Sequence, residues 1–209
     1  MKKKYINQCF NFENNKTNLL FKDCVFENCE LSNCELSDAC KLYDCKLYGG
    51  CELSDCKLYN GCELSGGCKL SNCKLYNGCE LSGGCELSNG CELSNGCKLS
   101  NGCELSGGCE LYNGCELSDC KLFNCKLSGG CKLSDCKLYD CKLYGGCELS
   151  DCKLYNGCEL SNCKLSDCKL FNCKLSDCGL YSGCELSDCE LSACKLSDDC
   201  KLYENKDKK

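Results

Sequence analysis

The chain has 209 residues and a net charge of -6, with 34 Cys, 21 Gly and no Pro, His or Trp. Its 25 Lys stand against 31 Asp plus Glu, a mixed-sign surface without the basic patch that phosphate-driven nucleic-acid binding requires. Lack of His removes the commonest general base, while so much Cys in a short chain points to a thiol-rich, disulfide-stapled or metal-binding protein.

The opening "MKKKYINQCFNFENNKTN" is basic but has no apolar core of signal-peptide length, and no later run is apolar enough to span a bilayer. The expectation is synthesis in the cytoplasm without a signal peptide, and no membrane partner. Residues 1–18, with Tyr5, Ile6, Phe10 and Phe12, read as an N-terminal cap segment. Residues 19–203 are the repeat domain. From Cys24 to Cys200 there are 33 cysteines, and the 32 gaps between them are 16 fives and 16 sixes. After the first unit, Leu stands two residues beyond every Cys, from Leu31 to Leu202, with Lys or Glu between them except at Gly179. The fourth position is Ser, Tyr or Phe, and Asp, Asn, Ala or a Gly-containing pair closes the unit. The tail "ENKDKK" (Glu204–Lys209) is charged and reads as frayed.

In an extended stretch neighbouring side chains point to opposite faces, so Cys and Leu share one face and the charge takes the other. Only about three residues are extended before a turn-forming residue bends the chain. Such a unit buries nothing alone. Stacked coils with parallel pairing give the Leu and Cys columns a continuous core, which predicts an all-β, single parallel β-solenoid. Spacings of five and six cannot hold one stripe of a 3.6-residue helix, and the regular apolar pair argues against disorder.

"CELSD" (Cys51–Asp55), "CKLFN" (Cys120–Asn124) and "CKLSDCKLFNCKLSD" (Cys163–Asp177), with "LLFKD" (Leu19–Asp23) and "CVFEN" (Cys24–Asn28), resemble the pentapeptide-repeat proteins. That resemblance implies a right-handed quadrilateral β-helix with Cys in the small inward slot, and this is the favoured architecture. The six-residue units depart from the pattern: all seven gaps from Cys73 to Cys115 are sixes. A Gly-containing bulge at a corner absorbs one extra residue. Seven in succession keep a three-sided coil and a flat two-sided coil open. Residues 40–65 recur unchanged at 136–161, 17 units later. That is a whole number of coils in none of these forms, which suggests tandem expansion of interchangeable tiles.

The cysteines read first as small, buried, inward thiols. Candidates, as thiols or as disulfides of unknown pairing, are Cys45, Cys51, Cys56, Cys62, Cys68, Cys73, Cys141, Cys147, Cys152 and Cys158. Stacking at ~4.8 Å lies within the Cα separation a disulfide needs. No Cys pair is closer than five residues and there is no His, so zinc spacing is missing; soft metals such as Cu(I) stay as a further alternative. No metal site, catalytic residue or cofactor is assigned. Tyr43, Tyr59 and Tyr76 stand three units apart, as do Phe123, Tyr139, Tyr155 and Phe171, a hint of the three-sided coil; these form a candidate outward aromatic face. No regular alternation of Lys and Glu is apparent when units are counted in twos, threes or fours.

A solenoid leaves bare strand edges at its ends, and no cap is visible at the C-terminus, so the expected partner is the chain itself, end to end or side by side. The leading reading is a non-enzymatic, self-associating structural protein, a disulfide-lockable coat, exosporium or filament component laid down in a cell-surface or spore-surface layer. The first alternative, implied by the family resemblance, is a protein-binding module of DNA-mimic type. The second is thiol-based metal binding.

Overall fold

A short strand with Cys and Leu on one side has no partner for its backbone groups until another lies beside it. In the computed structural model, which describes residues 2–10 and 19–203, that partner is the strand three units away. Strands β1 (Lys3–Ile6), β2 (Cys9–Phe10) and β3 (Leu19–Lys22) make one coil. β4 (Cys24–Glu27), β5 (Glu30–Ser32) and β6 (Cys34–Ser37) make the next. The pattern runs to β34 (Glu190–Ser192), β35 (Lys195–Leu196) and β36 (Lys201–Tyr203), giving 36 strands and no helix among the described residues. Every third strand joins the same parallel sheet, so three 12-stranded sheets enclose the core. They are faces 1, 2 and 3, beginning with β1, β2 and β3 respectively. At ~4.8 Å per rung the 12 rungs make a rod of roughly 55 Å.

The chain is the parallel all-β solenoid expected, but with three sides instead of the favoured four. Lys41, Lys57 and Lys74 stand opposite one another on face 1, each three units from the next. The reason lies at the corners. A five-residue unit ends in one residue with positive φ, such as Asp55 (54°) or Asn72 (51°). A six-residue unit ends in two, such as Asn95 (57°) and Gly96 (72°), except for the last, which closes at Asp198 and Asp199 without positive φ. A left-handed residue between extended stretches turns the chain sharply, and three such corners close the coil.

The extra residue stays inside the hydrogen-bonded ladder. Asp55 N–H donates to the Ser71 carbonyl at 3.1 Å in a short corner, and Gly84 N–H to the Asn101 carbonyl at 3.0 Å in a long one. Beyond the first coil, the coils therefore vary from 15 residues (Glu159 opposite Lys174) to 18 (Lys74 opposite Glu92) without losing register. Because 17 is not a multiple of three, the repeated 26-residue stretch lands one face over: Tyr43 lies on face 1 and its counterpart Tyr139 on face 3.

Inside, Cys and Leu fill the core, with most of both fully buried. The N-terminal segment contributes a coil of its own. Residues 3–6 pair with β4 and residues 9–10 with β5, so the sheets extend below the expected boundary at Leu19. Aromatic rings replace Leu there: Tyr5, Phe10, Phe21 and Phe26 pack with centroids 5.0 to 6.1 Å apart. Larger rings close an end that Leu would leave hollow. Among the described residues the other end has no such plug, and Leu202 and Tyr203 are more than half exposed. Phe12 and the tail 204–209 lie outside the described residues.

Candidate functional surfaces

Each face carries one inward column of cysteines. Cys56, Cys73, Cys141 and Cys158 belong to face 1; Cys45, Cys62 and Cys147 to face 2; Cys51, Cys68 and Cys152 to face 3. All described cysteines are free thiols, and all but Cys9, Cys189, Cys194 and Cys200 are buried. The disulfide expectation is therefore not met, although stacking brings sulfurs of successive coils into contact. Cys56 shows why the thiol form is at home. Its S–H faces the Ser54 carbonyl at 3.1 Å and the Leu36 carbonyl at 3.4 Å. Cys45 N–H in turn donates to Cys62 Sγ at 3.4 Å. A disulfide would give up the S–H donor and leave buried carbonyls short of a partner. Hydrogen bonding with Cys40 and Cys73, together with burial, pushes the Cys56 thiol up and keeps it protonated.

The columns are one-dimensional, so each interior sulfur has sulfur neighbours above and below rather than around it. Among the described residues no group of three or more Cys, Asp or Glu side chains has the arrangement of a metal site. No helix there is long and apolar enough to cross a membrane.

Outward, the aromatic positions come together as two ladders on different faces. Tyr43, Tyr59 and Tyr76 stack on face 1 with centroids 4.9 and 5.3 Å apart. On face 3, Phe123, Tyr139 and Tyr155 stack at 5.0 and 5.1 Å, and Phe171 occupies the next rung. Beside the second ladder runs a column of four lysines: Lys121, Lys137, Lys153 and Lys169. Its ends are neutralised by Glu104 (2.7 Å) and Glu185 (3.1 Å). Lys137 and Lys153 have no carboxylate in ion-pairing range among the described residues. Like charges set directly opposite on a sheet disfavour the fold, and this run of four is longer than the three opposed lysines Lys41, Lys57 and Lys74 on face 1.

Face 2 corrects the reading that no charge ladder exists. From Glu80 upward the opposed residues are Lys98, Glu116, Lys132, Glu148 and Lys164, alternating in sign at every rung. Ser82, Ser100, Ser118, Ser134, Ser150 and Ser166 form the parallel column. Between the two columns lies a shallow trough of about 750 Å³, closed at one end by Tyr181. The alternation is hidden in the linear sequence because Glu63 and Glu80 are adjacent on this face and break it.

No family model and no curated protein matches the chain. Among solved structures it is similar to the pentapeptide-repeat protein HetL, involved in heterocyst differentiation regulation in the cyanobacterium Nostoc, at 16% identity and a TM-score of 0.36, over 90% of this chain and 88% of that one. It is similar to QnrB1, a plasmid-mediated fluoroquinolone resistance protein, at 16% identity and a TM-score of 0.24, over 94% and 91%. A hyper-glycosylated TibA fragment matches at 10% identity and a TM-score of 0.32, over 99% and 98%. Pentapeptide-repeat proteins are thus among its structural neighbours, and the chain itself is a parallel β-solenoid with a repeat of about 16 residues.

Proposed function

We propose that the chain is a non-catalytic protein-interaction scaffold whose binding face is the upper part of face 3. The observation that carries this is the column of four opposed lysines beside four aromatic residues, with Lys137 and Lys153 left without acidic partners among the described residues. A column that costs stability and presents unpaired charge beside exposed rings such as Phe171 suits an acidic protein surface, which would neutralise the charge and cover the rings. In a chain of net charge -6 this patch is locally basic.

The DNA-mimic form of this reading has less support, because on all three faces opposed Glu residues run no longer than two before a Lys interrupts, as at Glu92 and Glu110 below Lys126. The coat or filament reading that relies on oxidative locking is weakened by burial of the thiols, with only Cys9 exposed. Proximity labelling in the source cells tests the proposal, comparing wild type with a Lys137→Glu/Lys153→Glu variant of unchanged circular dichroism. Loss of a defined set of labelled proteins in the variant is expected. An identical set in both would remove the proposal.

A further inference from the structure

The alternating ladder of face 2 has a symmetry that its in-chain pairing does not use. We propose that face 2 is an isologous dimer interface, in which a second copy lies side by side and antiparallel about a two-fold axis passing between Glu116 and Lys132. This goes beyond the partner-binding reading and uses a different face, so neither depends on the other.

A two-fold axis across the rod reverses the order of rungs and keeps each column opposite its own copy. A six-rung column that alternates in sign becomes its own complement when reversed. Glu116 meets the partner's Lys132, Lys98 the partner's Glu148, and Glu80 the partner's Lys164, each contact occurring twice. A parallel arrangement sets the charge column against the serine column and makes none of these pairs. The in-chain pairs on this column, such as Lys98 with Glu80 at 3.6 Å and Lys164 with Glu148 at 3.2 Å, are more than half exposed or nearly so, leaving the same groups available.

Shape follows the same register. The serine column is low and uniform over the six central rungs, so two faces can approach closely. Two bulky residues stand outside it on this face, Tyr48 below and Tyr181 above. Reversal about the same axis sets Tyr181 against the partner's Ser65 and Tyr48 against the partner's Ser197, large against small at both ends. Gly179, which is the only departure from Lys or Glu after the first unit, then lies opposite Glu63 and adds no like charge. Lys46 and Lys195 meet as like charges only at the rim, where solvent screens them. Ten overlapping rungs at ~4.8 Å, each about 10 Å wide, give a footprint on the order of 450 Å² per copy, which belongs to a weak, salt-sensitive association.

Sedimentation equilibrium with charge reversal tests the proposal. Wild type is expected to dimerise at low salt and to dissociate as ionic strength rises to about 0.5 M. Glu116→Lys alone and Lys132→Glu alone each place two like pairs at the axis, and each is expected to weaken the dimer by at least about tenfold. An equimolar mixture of the two variants restores opposite pairs in the heterodimer, and so recovers association. That recovery also shows that both variants are folded. Glu86→Lys on face 3 leaves the dimer unchanged. A wild type that stays monomeric at low salt, or single reversals that dimerise like wild type, or a mixture that fails to recover, overturns the proposal.

Discussion

Cysteine at the inward position is chosen for size and for the hydrogen bonds of its thiol, and this governs which sulfurs can react. Interior thiols are shielded by the coils on either side, whereas the last coils leave Cys189, Cys194 and Cys200 half-buried. Cys189 accepts a hydrogen bond from Cys173 that holds it down to about 7, while burial pushes Cys194 up from the ordinary thiol value. Since the thiolate is the nucleophile, alkylation of Cys189 is expected to rise with pH through about 7 and level off above, well ahead of Cys194. Mass-spectrometric mapping after brief iodoacetamide treatment checks this; a Cys189 midpoint near the ordinary thiol value of 9.0 would contradict it. The inward role of Cys was legible from period-two alternation alone. Its redox form was not, because a 4.8 Å stack suits a thiol column and a disulfide alike, and the deciding carbonyls, such as those of Ser54 and Leu36, come within reach only once the chain turns its corner and the coils stack.

At the scale of the element, the unit of structure is a strand plus a left-handed corner. Gly83 and Gly84 form a long corner with φ of +64° and +74°. A Cβ on Gly84 meets nothing within 4 Å, whereas one on Gly83 lies 3.3 Å from the backbone nitrogen of Gly66 in the coil below. Gly84→Ala is therefore expected to cost only the left-handed strain of about 1–2 kcal/mol. Gly83→Ala adds a contact that backbone cannot relieve, so its melting temperature should fall further than that of Gly84→Ala. Equal shifts would mean that the corners do not stack. The mixture of fives and sixes was visible in the sequence, and a glycine bulge was the right device for it. The number of sides was hinted at only by aromatics three units apart, such as Tyr43, Tyr59 and Tyr76, since it depends on how sharply each corner turns. The N-terminal coil was missed for another reason: residues 3–10 lack the Cys-x-Leu grammar and carry aromatics where Leu would stand.

For the whole molecule, the ends differ from the middle. Leu111 is 1% exposed in the centre, and Leu196 in the last coil is 36% exposed. Leu111→Ala opens a cavity between packed coils and is expected to cost about 2–5 kcal/mol. Leu196→Ala should cost less than about 1 kcal/mol, because its side chain is already partly in water. Chemical denaturation of both variants checks the gradient, and equal losses would argue against an open C-terminal end. The face-level patterns, the two aromatic ladders and the alternating charges, emerge only at this scale. The three-unit spacing of the aromatics was legible in the residue order, whereas the alternating charges show only when every third unit is followed on one face.

The central claim is that three units close each coil, and the length of the rod tests it most directly. Small-angle X-ray scattering at high salt, extrapolated to zero concentration, is expected to show a rod body of roughly 55 Å, set by 12 rungs at ~4.8 Å. A body near 40 Å, as four-sided coils would give, or near 80 Å, as two-sided coils would give, contradicts the three-sided account.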